Sequence, residues 1–165
     1  MLPNIPQHSI YYRLFAGIAG KILLWIIVII FATRNKPRLP RTRALITLGD
    51  NVLLIKNVTD FGRWTLPGGG IKKSETYAQS IAREVLEELN IDAIPDAYIF
   101  IKQYNKHEIK ASYDKTCYRL DLAKSPQAKI KLSLEILEAQ WFSLDSLPHN
   151  LSTIADKMLS DFNQR

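Results

Sequence analysis

Gly68-Gly69-Gly70-Ile71-Lys72-Lys73-Ser74-Glu75-Thr76-Tyr77-Ala78-Gln79-Ser80-Ile81-Ala82-Arg83-Glu84-Val85-Leu86-Glu87-Glu88-Leu89-Asn90-Ile91 is the stretch on which the fold turns. From Thr76 to Leu89 the spacing predicts a helix. Thr76 and Gln79 stand at N-cap and N3 positions, a capping box in which each side chain meets the other's backbone N–H. Ile81, Val85 and Leu89 repeat every four residues, with Ala78, Ala82 and Leu86 beside them, so one stripe is apolar and faces a core. Glu84, Glu87 and Glu88 fall at i, i+3 and i+4 on another face. Like charges at that spacing repel by a few tenths of a kcal/mol per pair, roughly. They also lie in the C-terminal half, where the helix dipole disfavours acids. No basic residue follows them within the helix. A bound cation would relieve the repulsion, and oxygen ligands without His or Cys suit Mg²⁺ or Mn²⁺. A solvated acidic face gives the same pattern.

The residues before the helix tip the balance. Leu66-Pro67-Gly68-Gly69-Gly70 joins a short strand, Trp64-Thr65-Leu66, to the helix. Glycines there let backbone approach a phosphate or a metal closely, and a plain tight turn seldom needs three. Further out, Ala44–Leu48 and Val52–Val58 read as a hairpin across Gly49-Asp50-Asn51. Asp60-Phe61-Gly62-Arg63 is a loop, and strands are expected over 97–104, 113–122 and 139–142. Residues 150–162 form a closing amphipathic helix with Leu151, Ile154, Ala155, Met158, Leu159 and Phe162 on one stripe.

From Gly69 to Ile91 the chain resembles the box of the Nudix hydrolase family, Gly-x5-Glu-x7-Arg-Glu-U-x-Glu-Glu-x-Gly-U with U a bulky aliphatic. Gly69, Glu75, Arg83, Glu84, Val85, Glu87, Glu88 and Ile91 match it. Asn90 stands where the family has Gly, at the helix C′ position, where Asn is the next-best residue for a left-handed conformation. The late Glu138-Ala139-Gln140-Trp141-Phe142, with Leu144 and Leu147-Pro148, also looks like the family's closing strand and turn. The resemblance implies an α/β/α sandwich, a mixed sheet between the box helix and the closing helix. It implies Glu87 and Glu88 as metal ligands, Glu84 as a direct or water-mediated one, and the Gly68 carbonyl as a further oxygen. Arg83 and Glu75 would brace the loop of Gly69 and Gly70 against the helix. Glu84, Glu135 and Glu138 are the candidates for the base that activates water. The implied reaction is Mg²⁺- or Mn²⁺-dependent cleavage of a phosphate–phosphate bond in a nucleoside diphosphate linked to another group. A nucleotide sensor without catalysis, or a membrane-tethered interaction domain, are the alternatives. Both paired glutamates are present, which speaks against the sensor.

The charge has one source. Residues 1–43 hold seven Lys or Arg and no acid, whereas the other residues hold 15 basic and 16 acidic side chains, a net of −1 against +6 overall. A near-neutral body argues against nucleic acid as a partner. Residues 14–32 are apolar apart from Lys21. Nineteen helical residues rise about 28 Å, close to a bilayer's hydrocarbon thickness. One Lys costs about 3 kcal/mol on insertion scales, less than a dozen apolar residues return. Arg34, Lys36, Arg38, Arg41 and Arg43 follow the run, against Arg13 before it, which sets the remainder on the cytoplasmic side. The expected organisation is a membrane-anchor helix in 1–33, a basic linker with Pro37 and Pro40 in 34–40, and a Nudix domain in 41–165. A cleaved signal peptide fits poorly, since the basic cluster follows the run and no cleavage site is apparent. An interfacial helix, or one packed on the domain with the protein soluble in the cytoplasm, is the competing reading.

The remaining chemistry-bearing residues read as structural. Cys117 sits in an apparent strand, and as the single cysteine it forms no internal disulfide. His8, His107 and His149 are scattered and read as surface residues. Trp64 and Trp141 read as core or rim packing. Tyr104, Tyr113 and Tyr118 suit a nucleotide pocket or a plain hairpin surface equally. The substrate stays open. The downstream proline of ADP-ribose enzymes, the tyrosine of diadenosine polyphosphate enzymes (that region reads Lys106-His107-Glu108) and the coenzyme A and NADH subgroup motifs are not found.

Overall fold

A computed structural model describes residues 40–124 and 130–164. The expected anchor at 14–32 and nearly all of the expected linker lie outside the described residues. Among the described residues no helix is long and apolar enough to cross a membrane.

Strands β1 (Arg41–Leu48) and β2 (Asn51–Asn57) form the expected hairpin, with Leu48 paired to Asn51. Gly49, at φ 57°, takes the first position of its two-residue turn, where a left-handed residue matches the strand twist. Helix α1 (Tyr77–Leu89) follows. Next come β3 (Ile99–Tyr104), β4 (Lys115–Asp121), β5 (Ile136–Ser143) and helix α2 (Thr153–Asn163). The sheet order is β3-β4-β1-β2-β5; β1 and β4 are parallel and the other pairs antiparallel. The sheet is therefore mixed, as the sandwich requires.

Each sheet face carries one helix, and the strand period sorts the side chains between them. Ala44, Ile46, Leu53 and Ile55 face α1 and pack with Ile81, Val85 and Leu89. Leu45, Val52, Leu54 and Cys117 face α2 and pack with Ile154, Ala155, Met158 and Leu159. Thr76 caps α1 and Gln79 completes the capping box. Asn90, at φ 56° and ψ 31°, ends α1 in the left-handed region. Leu86 departs from the expected stripe: it is exposed, because the buried face is the narrower line through Ser80, Ile81, Val85 and Leu89.

Candidate active site

The glycine segment lies where β1 and β2 part. Past their short pairing, the N-terminal half of β1 takes residues 67–69 as its neighbour. Thr42 N donates to Gly69 O and Ala44 N to Pro67 O, each at 2.9 Å. Gly68 is at φ 128°, and a Cβ there would run into the Thr42 carbonyl and the Ile81 side chain. A Cβ on Gly69 would fall on the Glu84 carboxylate. Gly68 is closed in by the β1 backbone and by Ile81 of α1, and Gly69 by Glu84 of α1, so neither has room for a side chain. Gly70 has open space around it, and its carbonyl accepts from Arg83 Nη2 at 3.0 Å.

Arg83 organises the acids. Its Nε and Nη2 hold the two oxygens of Glu75 at 2.6 and 3.0 Å, while Nη1 donates to Glu84 at 2.8 Å and Glu87 at 3.0 Å. The fork holds the Glu75 carboxyl down at about 2. The relief that the acidic face needs thus comes partly from within the box rather than from a residue beyond it. Lys72 adds a contact to Glu87 at 3.2 Å.

Glu88 is set apart from this network. Its Oε2 accepts from Gly68 N at 2.8 Å, and burial pushes its carboxyl up to about 8, against the pull of that N–H and of Arg43. Glu84 and Glu135 add to the rise by like charge. Segment 131–133 brings Glu135 here: Ser133 N donates to Glu88 O and Lys131 N to Leu89 O, both at 3.0 Å, satisfying carbonyls at the helix end. Glu138 is turned instead to Lys56 at 2.7 Å.

The donor set fits a hard divalent ion in kind: three carboxylates on one face, Glu84 and Glu88 half-buried, beside a backbone turn. Among the described residues, however, no three Asp, Glu, His or Cys side chains converge into a cage as they stand. Glu84 and Glu87 are engaged by Arg83, and Glu88 by Gly68 N. The Gly68 carbonyl, expected as a further metal oxygen, accepts from the guanidinium of Arg43.

Arg43 has a place in the site that the sequence did not single out. It was grouped with Arg41 among the basic residues flanking the apolar run, yet both belong to β1, and Arg43 is buried. The signal was its strand phase, two residues before Leu45 on the α2 face. Tyr104 is wholly buried beneath α2 with its hydroxyl on Asp161, so it lines no pocket. Tyr118 meets Phe100 edge-on, and Tyr113 lies under Arg41. Trp64 is core, edge-on to Phe142. Trp141 packs half-buried on the α1 side. Cys117 is fully buried and burial pushes its thiol up to about 12, which suits a packing role. His107 and His149 are exposed, and His8 lies outside the described residues.

An open mixed sheet between two helices, with a glycine turn feeding a carboxylate-bearing helix, defines an α/β/α sandwich. The family model of the NUDIX domain matches residues 37–162, and the chain belongs to that family. It is 30% identical over 118 residues to the NAD-capped RNA hydrolase NudC of Stutzerimonas stutzeri, covering 70% of this chain and 40% of that one. The chain thus spans well under half of that curated relative. Among solved structures, the MutT NUDIX hydrolase of Burkholderia pseudomallei superposes with TM-score 0.61 at 24% identity, covering 73% of this chain and 96% of that one. A bifunctional NMN adenylyltransferase/ADP ribose pyrophosphatase of Francisella tularensis, complexed with AMP and Mn ion, gives TM-score 0.63 at 20% identity over 94% and 49%.

Proposed function

We propose that this protein is a divalent-metal-dependent pyrophosphohydrolase that cleaves the phosphate–phosphate bond of a nucleoside diphosphate linked to another group. A nucleoside monophosphate and a second phosphorylated product would be released. One observation carries this: the half-buried Glu88 carboxylate, seated on Gly68 N beside Glu84 and Glu87, is a charge that its partial desolvation disfavours and a cation would stabilise. Glu84, Glu87 and Glu88, with the Gly68 carbonyl, would hold Mg²⁺ or Mn²⁺. When bound, the ion neutralises phosphate charge and polarises the bond to be cleaved.

The chain's own residues do the rest. Arg83 and Glu75 fix the glycine turn on the helix, so Glu84 and Glu87 are presented rather than free to splay. Glu135 suits the role of base that takes the proton from attacking water. It is exposed, close enough to act on Glu88, and forms no salt bridge among the described residues. Glu84 is held by Arg83, and Glu138 by Lys56. Water and an in-line path suffice at phosphorus, with no covalent intermediate required.

The substrate is tested with a panel of nucleoside triphosphates, dinucleotides and nucleotide sugars, read by phosphate detection after phosphatase treatment. NAD-capped RNA belongs in it, because the curated relative is named for that activity. Turnover of at least one nucleotide anhydride, abolished by EDTA and restored by Mg²⁺ or Mn²⁺, is expected. No turnover across the panel would favour the sensor or the tethered interaction domain, and metal-independent turnover would overturn the metal assignment.

Location is part of the same reading. Residues 14–32 anchor the domain to lipid from the cytoplasmic side, spanning or lying in the interface. The full chain should pellet with membranes and resist a high-salt wash, since salt screens the basic flank but not apolar insertion. Release by salt would assign surface electrostatic binding instead.

A further inference from the structure

The parallel pair β1 and β4 begins with a cluster of positive charge that the carboxylate site does not account for. Arg41 pairs in register with Lys115, and Arg43 with Cys117. Arg43 shares the α2-facing side of the sheet with Leu45 and Cys117. The Arg41 guanidinium lies 5.0 Å from the centre of the Tyr113 ring. Asp60, from the loop after β2, is the acid that acts on both Arg43 and Lys115.

This cluster is poorly satisfied as it stands. Arg43 is buried, and Nη1 donates to the carbonyls of Thr42 and Gly68, but its Nε is buried without a hydrogen-bond partner. Asp60 Oδ2 is likewise buried and unpartnered. Among the described residues Lys115 makes no salt bridge. Burial, then Arg43, press its amine down to about 8. Like charges gathered in a desolvated place cost stability, and an arrangement of that kind persists where function needs it. Arg41, Arg43 and Lys115 face two carboxylates, Glu88 and Asp60, which leaves one positive charge and an unfilled guanidinium donor, a complement to an anionic phosphoryl oxygen. The cluster also touches the catalytic turn, because Arg43 holds the Gly68 carbonyl while Glu88 holds the Gly68 N–H.

We propose that Arg43 and Lys115, supported by Arg41, form a phosphoryl-binding subsite on the sheet side facing α2, which takes a phosphate of the substrate and retains it in the monophosphate product. This rests on the pyrophosphohydrolase reading and deepens it. Substrate would lie across Gly68, with its reacting phosphate toward Glu88 and a phosphoryl group against Arg43 and Lys115. Arg43 is a positioning residue as well, since one guanidinium serves both the turn and the anion.

The test is calorimetric titration of the full chain in EDTA with inorganic phosphate, AMP and adenosine, for wild type, Lys115→Met and Arg43→Lys. Phosphate and AMP should bind and adenosine should not. AMP should bind at least as tightly as phosphate, and Lys115→Met should weaken both at least tenfold without lowering the melting temperature. Arg43→Lys should weaken AMP too, because Lys lacks the fork. Three results would overturn the proposal: equal binding of phosphate by Lys115→Met and wild type, a lower melting temperature in Lys115→Met, or binding of phosphate with no binding of AMP. If Arg43→Lys fails to fold, Lys115→Met still decides. Lys115-dependent binding without turnover across the panel would sink the enzymatic reading and spare the subsite; turnover with Lys115-independent binding would do the reverse.

Discussion

Arg83 Nε donates to Glu75 Oε1 at 2.6 Å and its Nη2 to Oε2 at 3.0 Å, a two-point fork that ties α1 to the turn preceding it. Both side chains are mostly buried, so the pair is screened less than a surface salt bridge.

Glu75→Gln should therefore lower stability at neutral pH by about 1 kcal/mol, toward the upper end for a partly exposed pair. The folded-state value of Glu75, about 2, lies below the usual carboxylate range. Its contribution is present in full above the unfolded value and is lost as pH falls toward the folded one. The melting-temperature gap between wild type and Glu75→Gln should be constant from pH 6 to 8 and should close between about pH 4 and 2. A gap that persists at pH 2 would mean that Glu75 acts through packing rather than charge.

Asn90 is the one departure from the box, and its left-handed backbone gives the reason it is accepted. Asn90→Gly should stay within about 0.5 kcal/mol of wild type, because Gly enters that region without a Cβ penalty. Asn90→Ala should cost about 1 kcal/mol. Chemical denaturation checks the order. An Ala variant as stable as wild type would show that backbone conformation does not govern the position.

Much of this was legible because local signals agree with the fold. Thr76 with Gln79, the apolar runs of β1 and β2 joined across Gly49-Asp50, and the apolar stripe of α2 are each specified by short-range pattern. The resemblance to the box also implies Arg83 braced with Glu75, and the two side chains are joined by the fork. What escaped was non-local. Leu86 looked like part of a stripe, but the buried line of α1 through Ser80, Ile81, Val85 and Leu89 leaves it exposed. Arg43 looked like a membrane-flanking charge because a linear count cannot tell a buried arginine from a solvated one. Where Glu135 and Glu138 lie relative to Glu88 depends on how segment 131–133 docks on the end of α1 and on Lys56 across a strand. No spacing rule encodes either.

The central claim is that Glu87 and Glu88 hold the metal on which hydrolysis depends. The most direct measurement is the Mg²⁺-dependent rate on the best substrate of the panel for Glu88→Gln and Glu87→Gln, with melting temperature recorded alongside. An amide keeps the volume and, for Glu88, an acceptor for Gly68 N, while removing the charge. The account predicts a fall in kcat of about 100-fold or more in each variant, on the order of 3 kcal/mol of transition-state stabilisation. It also predicts a Glu88→Gln protein at least as stable without metal, since the variant no longer buries a carboxylate. Near wild-type turnover in both variants, with the fold intact, would contradict it.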